Sequence, residues 1–437
     1  MSRPIVAIVG RPNVGKSALF NRLVGRPLAI VEDLPGTTRD RMFADLSFQG
    51  RDLTVVDTGG FEARPASSLA EKVQSQLDMA MAEADGIILA VDIQEGLMPG
   101  DQEMAERLRR HGKPVVVAAN KSDHPRHDSL AAEFYRLGMG EPVAVSAFHD
   151  RGITDLMERV SSNLPPTEVS APEILADIKI AIAGRPNVGK SLLLNSFLGT
   201  QRAIVDEQPG TTRDAVDTVL VYGDRRLLLI DTAGLRKRGR IEPGVEKYSA
   251  LRSIRAIARS DVVLLVIDAT EPDTIQDWHI AGYIQQALKG MVVVVNKWDL
   301  AQGVDRLELT QGLQRRLRFM PGTPVLFTSA LLGQRVGEVL PQVITVYEER
   351  NKRVPDQVLD AYIKEAVASH NLPRSGKKEF ALFKVSQVGV NPPTFLFVVN
   401  DARMVNFSYR RFLVNRLREL FGFAGTPLRF IFQDRGE

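Results

Sequence analysis

Short apolar runs with almost no polar interruption recur along the start of the chain: Ile5–Val9, Leu53–Asp57, Ile87–Asp92, Val115–Asn120 and Pro142–Ser146. Each is only five or six residues long and rich in β-branched side chains. A strand covered on one face alternates apolar and polar positions. These runs do not alternate, so they predict parallel strands buried on both faces. The stretches between them, such as Leu69–Ala84 and Asp101–His111, are long enough for the covering helices. Strand and helix in alternation predict a doubly wound α/β domain, mostly parallel, with ligands at the carboxyl ends of its strands.

The pattern then returns with its polar punctuation intact. Gly10, Arg11, Pro12, Asn13, Val14, Gly15, Lys16 and Ser17 recur letter for letter as Gly184, Arg185, Pro186, Asn187, Val188, Gly189, Lys190 and Ser191. The six residues Pro35–Asp40 recur as Pro209–Asp214. Asp57, Thr58, Gly59 and Gly60 return as Asp231, Thr232, Ala233 and Gly234, and Asn120, Lys121, Ser122 and Asp123 as Asn296, Lys297, Trp298 and Asp299. The offset is 174 residues for the first three pairs (10 to 184, 35 to 209, 57 to 231) and 176 for the fourth (120 to 296). Order-preserving repetition on this scale is a duplicated domain rather than a solenoid of small units.

Proline-rich linker composition at 164–176 separates the copies. The pattern predicts a first domain over 1–163 and a second over 177–345, with a break near Pro341–Pro355. The remaining segment, 346–437, reads as helix (Asp356–His370), strand (Phe380–Val388), strand (Thr394–Asn400), helix (Phe407–Phe421) and strand (Pro427–Phe432). That is a small α+β layer.

Composition narrows the picture. There is no cysteine among the 437 residues, which excludes disulfides and thiolate metal sites and fits a cytoplasmic protein. The apolar run after Met1 is too short for a signal-peptide core, and stretches such as Met291–Val295 are far too short to span a bilayer, so no membrane partner is expected. Net charge is +3, unevenly spread: from Pro341 to Glu437 there are 15 Lys and Arg against 10 Asp and Glu, so this segment is +5 and the rest −2.

The repeated residues have the chemistry of a guanine-nucleotide site. A glycine-rich loop between a strand and a helix, ending in Lys-Ser, is the P-loop arrangement. Its backbone N–H groups and the helix terminus cradle phosphates, the lysine reaches the β- and γ-phosphates, and the serine hydroxyl coordinates Mg²⁺. Lys16 with Ser17, and Lys190 with Ser191, take these roles. Asp57 and Asp231 end apolar strands where a magnesium-associated carboxylate is needed, and Gly60 and Gly234 follow where a backbone N–H can sense the γ-phosphate. Thr38 and Thr212, from the pairs Thr37-Thr38 and Thr211-Thr212, can reach Mg²⁺ and order a switch loop. Arg39 and Arg213 read as solvated switch-loop residues rather than arginine fingers.

Asp123 and Asp299 select the base. A carboxylate there accepts from guanine N1–H and its exocyclic amine, a donor pair that adenine lacks. Lys121 and Lys297 can lay their stems over the base. Asn120 and Asn296 tie this loop to the P-loop, and Ser146-Ala147 and Ser329-Ala330 can present a backbone N–H to guanine O6. The glutamine that orients water in Ras-type enzymes is replaced by Phe61 and Leu235. Asn13 and Asn187 are candidates for holding a monovalent cation in its place, against the blander role of stabilising their loops.

These residues, with Asn391–Phe395 and Phe423–Pro427 in the third segment, resemble the bacterial tandem GTPases of the Der, or EngA, family, and the resemblance covers essentially the whole chain. It implies two P-loop GTPase domains and a KH-like C-terminal domain. It also implies hydrolysis of GTP to GDP at two sites with Mg²⁺, stimulation by K⁺, and a role in maturing the large ribosomal subunit through its rRNA. Members often end in a basic tail; here the sequence ends Gln433–Glu437, and RNA contact through such a tail is not expected. Gly422 and Gly425 spell the Gly-x-x-Gly of a KH clamp, but between a helix and a strand, so Gly422 reads as a helix cap. Arg374, Lys377, Lys378, Arg410, Arg411, Arg416 and Arg418 are candidate phosphate contacts, or a solvated basic face. Two other readings compete: a tRNA-modification GTPase, disfavoured because such enzymes carry one G domain and a cysteine-dependent module, and a nucleotide-regulated scaffold with little turnover.

Overall fold

The structure, a computed structural model, describes residues 3–25, 43–58, 81, 83–165, 176–200, 217–232, 250–368, 374–375 and 378–435. The contacts form two compact units. One spans Met1–Pro172 with Ser249–Arg255; the other spans Glu173–Tyr248 with Ala256–Glu437.

In the first unit the strands are β1 (Ile5–Val9), β2 (Phe43–Phe48), β3 (Arg51–Asp57), β4 (Gly86–Asp92), β5 (Val115–Asn120) and β6 (Val143–Ala144). They form one sheet in the order β2-β3-β1-β4-β5-β6, parallel except for β2 against β3. The helices α1 (Lys16–Val24), α2 (Pro99–His111) and α3 (Ile153–Asn163) are interleaved with them. Every residue of β1 and β4 is buried, as the uninterrupted apolar runs predict. β2 was not foreseen in the sequence. It is an edge strand whose buried Ala44, Leu46 and Phe48 alternate with half-exposed Asp45 and Ser47, so a search for continuous apolar runs passes over it. The helix expected over Leu69–Ala84 falls almost wholly outside the described residues.

The second copy repeats the plan. Strands β7 (Ile178–Ala183), β8 (Thr218–Tyr222), β9 (Arg225–Ile230), β10 (Val262–Asp268), β11 (Gly290–Asn296) and β12 (Val325–Phe327) order as β12-β11-β10-β7-β9-β8, the same arrangement with β8 antiparallel at the edge. Its helices include α4 (Lys190–Thr200), α5 (Ile275–Gln286), α6 (Arg306–Arg316) and α7 (Val339–Asn351).

Two expected boundaries shift. Leu164, assigned by composition to the linker, is buried in the first domain's core. The division at residue 345 falls inside α7, whose Val343 and Val346 belong to the second domain's core. Pro341 signals a break in the sequence, yet it sits in the first turn of α7, where a backbone N–H has no intrahelical acceptor to lose. A division after Asn351 follows the packing.

The third segment contains α8 (Asp356–Ala368), a short hairpin of β13 (Arg374–Ser375) and β14 (Lys378–Glu379), then β15 (Leu382–Gly389), β16 (Thr394–Val399), α9 (Phe407–Phe421) and β17 (Arg429–Asp434). β16 pairs antiparallel with β15 and parallel with β17, over an aromatic core that includes Phe395, Phe397, Phe423 and Phe430. This is the expected α-β-β-α-β layer, with the hairpin added.

The segment is joined to the second domain by buried polar contacts. Arg350 is 1% exposed and donates from Nε and Nη2 to Asn391 Oδ1 (3.0 and 2.6 Å) and from Nη1 to Thr426 Oγ1 (3.0 Å). Asn391 Nδ2 in turn donates to Asp261 Oδ1 (3.0 Å). Burial lowers the Arg350 pKa to about 10, so the side chain stays charged at neutral pH. The Gly425 carbonyl accepts from the Met291 N–H (2.8 Å).

Candidate nucleotide sites

β1 and β7 each run straight into a phosphate loop. Gly10 (φ 153°) and Gly15 (φ 90°) have backbone conformations that a side chain resists. A Cβ on Gly10 would strike the Ala90 carbonyl, and one on Gly15 the Asn120 side chain; Gly184 and Gly189 are hemmed in the same way by Val266 and Asn296. Asn13 (φ 66°) and Asn187 (φ 64°) are also left-handed, a conformation that asparagine tolerates better than most side chains. Loop shape therefore accounts for asparagine here before any ligand is considered.

The lysines are pre-set. Lys16 is 5% exposed, and its Nζ donates to the Gly10 and Arg11 carbonyls at 2.8 Å each. Lys190, 7% exposed, donates to the Gly184 and Arg185 carbonyls at 2.9 and 2.5 Å. A nearly buried ammonium held in place by loop carbonyls is pre-positioned to meet a phosphate chain.

Arg11 and Arg185 stand in the loops, but their guanidiniums are engaged elsewhere. Arg11 Nε donates to Asp101 Oδ1 (2.8 Å) and Nη2 to Glu95 (3.0 Å); Arg185 Nε donates to both oxygens of Asp277 (3.2 Å each) and Nη1 to Glu271 (3.2 Å). Asp101 and Asp277 are fully buried in the first turns of α2 and α5. Burial raises the Asp277 pKa, and its bonds from Thr274 and Arg185 only partly offset this. These arginines brace the P-loop, and their side chains are not presented to a phosphate.

The base-recognition loops close on the P-loops as expected. Asn120 Nδ2 donates to the Val14 carbonyl (3.0 Å) and Asn296 Nδ2 to that of Val188 (2.9 Å). The same asparagines accept, through Oδ1, the N–H of Ala147 (3.1 Å) and Ala330 (2.9 Å). In this arrangement the alanine N–H of each Ser-Ala pair expected to face guanine O6 is engaged by the asparagine. Arg22, which the sequence did not single out, fastens the loop after Ser146 by donating to the Ala147 and Phe148 carbonyls (2.7 Å each).

Two buried oxygens in the second site have no hydrogen-bond partner, Asp299 Oδ1 and Ser191 Oγ. A buried acceptor left unpaired is costly. A guanine N–H satisfies the first, and a hard divalent cation suits the second, which is the test for Mg²⁺ at this position. In the first site Asp123 Oδ1 accepts from Ser146 Oγ (2.6 Å), and Ser17 is exposed. No cluster of three metal-ligating His, Cys, Asp or Glu exists among the described residues.

The sites differ at the aspartates Asp57 and Asp231. Asp57 ends β3 in register with Ile8, and Thr58 Oγ1 donates to the Ile8 carbonyl (2.7 Å). β9 stops at Ile230, so Asp231 turns left-handed (φ 53°) and its N–H donates to Asp217 Oδ1 (3.0 Å). Asp217 is also paired with Arg259. Thr37, Thr38, Arg39, Gly59, Gly60, Phe61, Thr211, Thr212, Arg213, Ala233, Gly234 and Leu235 lie outside the described residues.

In the third segment Gly422 caps α9 (φ 86°), and Gly425 (φ 65°) packs against Val346, Met291 and Pro324. Phe423 between them is fully buried, so these glycines serve packing and not a nucleic-acid clamp. Arg411 is exposed and Arg410 half-buried, while Arg416 pairs with Glu419 (2.8 Å). Arg418 corrects the expectation of a phosphate contact: it turns inward and donates to the Phe423 carbonyl and to that of Thr426 (2.7 Å). The side chains of Arg374, Lys377 and Lys378 are outside the described residues. No described helix is long and apolar enough to cross a membrane.

Comparison with known proteins agrees with this geometry. The family profile described as "50S ribosome-binding GTPase" matches twice, at residues 5–121 and 179–297. The profile described as "KH-domain-like of EngA bacterial GTPase enzymes, C-terminal" matches residues 353–433. A "GTPase Der" of Moorella thermoacetica is 48% identical over 99% of both chains, and one of Thermomicrobium roseum is 46% identical over 100% of this chain and 97% of the other. A solved structure of Aquifex aeolicus Era is 25% identical over 58% of this chain, with a TM-score of 0.30, too low to add to the fold.

Proposed function

Because the chain belongs to the Der family of tandem GTPases, and so binds and hydrolyses GTP, we propose that both its sites turn over and that their nucleotide state controls docking on the large ribosomal subunit. The observation that carries this reading is the union of two full sets of guanine-site motifs in the sequence with a KH-like segment that concentrates the positive charge, +5 against −2 for the rest. Phosphate contacts by such a surface release counterions and are salt-sensitive.

Within each site, the P-loop backbone and Lys16 or Lys190 orient the phosphates, and Asp123 or Asp299 fixes the base. Ser17 with Thr38, and Ser191 with Thr212, are the residues to hold Mg²⁺, with Asp57 and Asp231 behind them. When bound there, Mg²⁺ would supply positive charge against the charge that develops on the transferred phosphoryl group. Thr38 and Thr212 then couple the γ-phosphate to the switch loops, and loss of that contact relaxes them.

Docking is tested by co-sedimentation with purified large subunits under a GTP analogue, GDP and no nucleotide, over a salt series. The amount bound should differ between nucleotide states and fall as salt rises. Identical sedimentation in all three states would rule out nucleotide control, since a ligand binding two states equally shifts nothing.

Phe61 and Leu235 cannot orient water, and K⁺ held by Asn13 and Asn187 would fill that gap. Phosphate release should be about tenfold faster in potassium than in sodium at matched ionic strength, a barrier difference of about 1.4 kcal/mol. Asn13→Gly and Asn187→Gly keep the left-handed backbone while removing the carboxamide, and together they should abolish the preference. If the double variant keeps it, the asparagines only shape their loops.

A further inference from the structure

Two carboxylates outside the nucleotide motifs grip the lysines of the base-recognition loops. Asp92 ends β4 in register with Asn120 at the end of β5, and Asp268 ends β10 in register with Asn296 at the end of β11. The next residue of each loop, Lys121 or Lys297, is left-handed (φ 68° and 61°), which turns its side chain back toward the neighbouring strand end. There Lys297 Nζ donates to Asp268 Oδ2 at 2.6 Å, and Lys121 Nζ meets Asp92 Oδ2 in the same way. Both aspartates are nearly buried, at 2% and 9% exposure.

The other carboxylate oxygen fixes the aspartate itself. Asp92 Oδ1 accepts from the Gln94 N–H (2.9 Å); Asp268 Oδ1 accepts from the N–H (2.9 Å) and hydroxyl (2.7 Å) of Thr270. The turns differ in sequence between the copies. The carboxylate, the lysine and the bond between them do not.

A lysine stem is long, flexible and costly to order, and its ammonium is strongly hydrated. Here the left-handed backbone fixes one end and a carboxylate the other. The methylenes are left as a pre-ordered apolar strip, with the charge already neutralised. We propose that Asp92 and Asp268 are positioning residues for base binding, holding the stems of Lys121 and Lys297 ready to cover the guanine ring. The proposal rests on the reading of these loops as guanine sites. Ordering the stem before the ligand arrives lowers the cost of binding and appears as affinity.

Asp268→Asn is the sharpest variant. It keeps an oxygen for Thr270 and removes the charge that holds Lys297. GDP affinity at the second site can be followed through Trp298, the residue after Lys297, by fluorescence titration of the full chain. Asp268→Asn should weaken GDP about tenfold and Lys297→Ala by a similar factor, while the double variant should be no weaker than Lys297→Ala alone. A merely structural aspartate gives additive losses or none, and either result overturns the proposal. Asp299→Asn serves as the control for the underlying reading. If it leaves GDP affinity unchanged, the guanine assignment fails and the proposal with it. If Asp299→Asn weakens GDP binding while Asp268→Asn has no effect, only the positioning role is lost. Asp92→Asn with Lys121→Ala repeats the cycle in the first site.

Discussion

Asp299→Asn exchanges guanine for xanthine at the second site. The Asp299 carboxylate has one buried oxygen without a partner, and on the proposed reading the guanine N1–H and exocyclic amine would donate to this carboxylate. An asparagine keeps one acceptor and turns a donor toward the amine. Hydrogen bonds to a charged group contribute about 1.5–3 kcal/mol each, so losing the one to the amine weakens GDP by about 10- to 10²-fold. Xanthine carries a carbonyl where guanine has its amine and restores the complement, so xanthosine diphosphate should gain by a comparable factor. Asp123→Asn should do the same at the first site, where asparagine also keeps the acceptor for the Ser146 hydroxyl. Isothermal titration with guanosine and xanthosine diphosphates measures both. A variant that loses guanine without gaining xanthine would show that Asp299 shapes the loop and does not read the base.

Lys16→Ala and Lys190→Ala should each remove turnover at one site by about 10²- to 10³-fold, the range for deleting a donor that stabilises transition-state charge. Both ammonium groups are nearly buried and anchored by two P-loop carbonyls, so neither swings in from solvent when nucleotide binds. Each single variant should keep the other site's share of phosphate release, which apportions the total between the sites. The double variant should lose about 10²- to 10³-fold of the total rate. Retention of more than about a tenth of the original rate by the folded double variant would contradict the assignment, given the losses expected for such a donor.

Much of this was legible in the sequence because the two copies check one another. Parallel strands buried on both faces declare themselves as unbroken apolar runs, and the loops at their carboxyl ends keep fixed letters because a phosphate or a base tolerates little else. What escaped notice obeys weaker rules. β2 alternates, so half its residues look like loop. Pro341 reads as a boundary because proline breaks helices in their interior, whereas in a first turn it breaks nothing. Arg418 looks like one more surface cation on a basic helix, and only packing shows that it turns inward. Asp92, Glu95 and Asp101 did leave a signal: they recur as Asp268, Glu271 and Asp277 at the same 176-residue offset as the base-recognition motif. Acidic side chains at strand ends and in first helical turns are common, so the repetition alone does not single these residues out. It is these residues that hold the P-loop arginines and the base-loop lysines.

The central claim is that one chain carries two independent guanine sites, and equilibrium titration of nucleotide-free protein tests it most directly. Isothermal titration with GDP in the presence of Mg²⁺ should saturate at two nucleotides per chain, and ATP under the same conditions should give no binding heat and displace no GDP. Saturation at one nucleotide per chain, or displacement of GDP by ATP, would contradict the account.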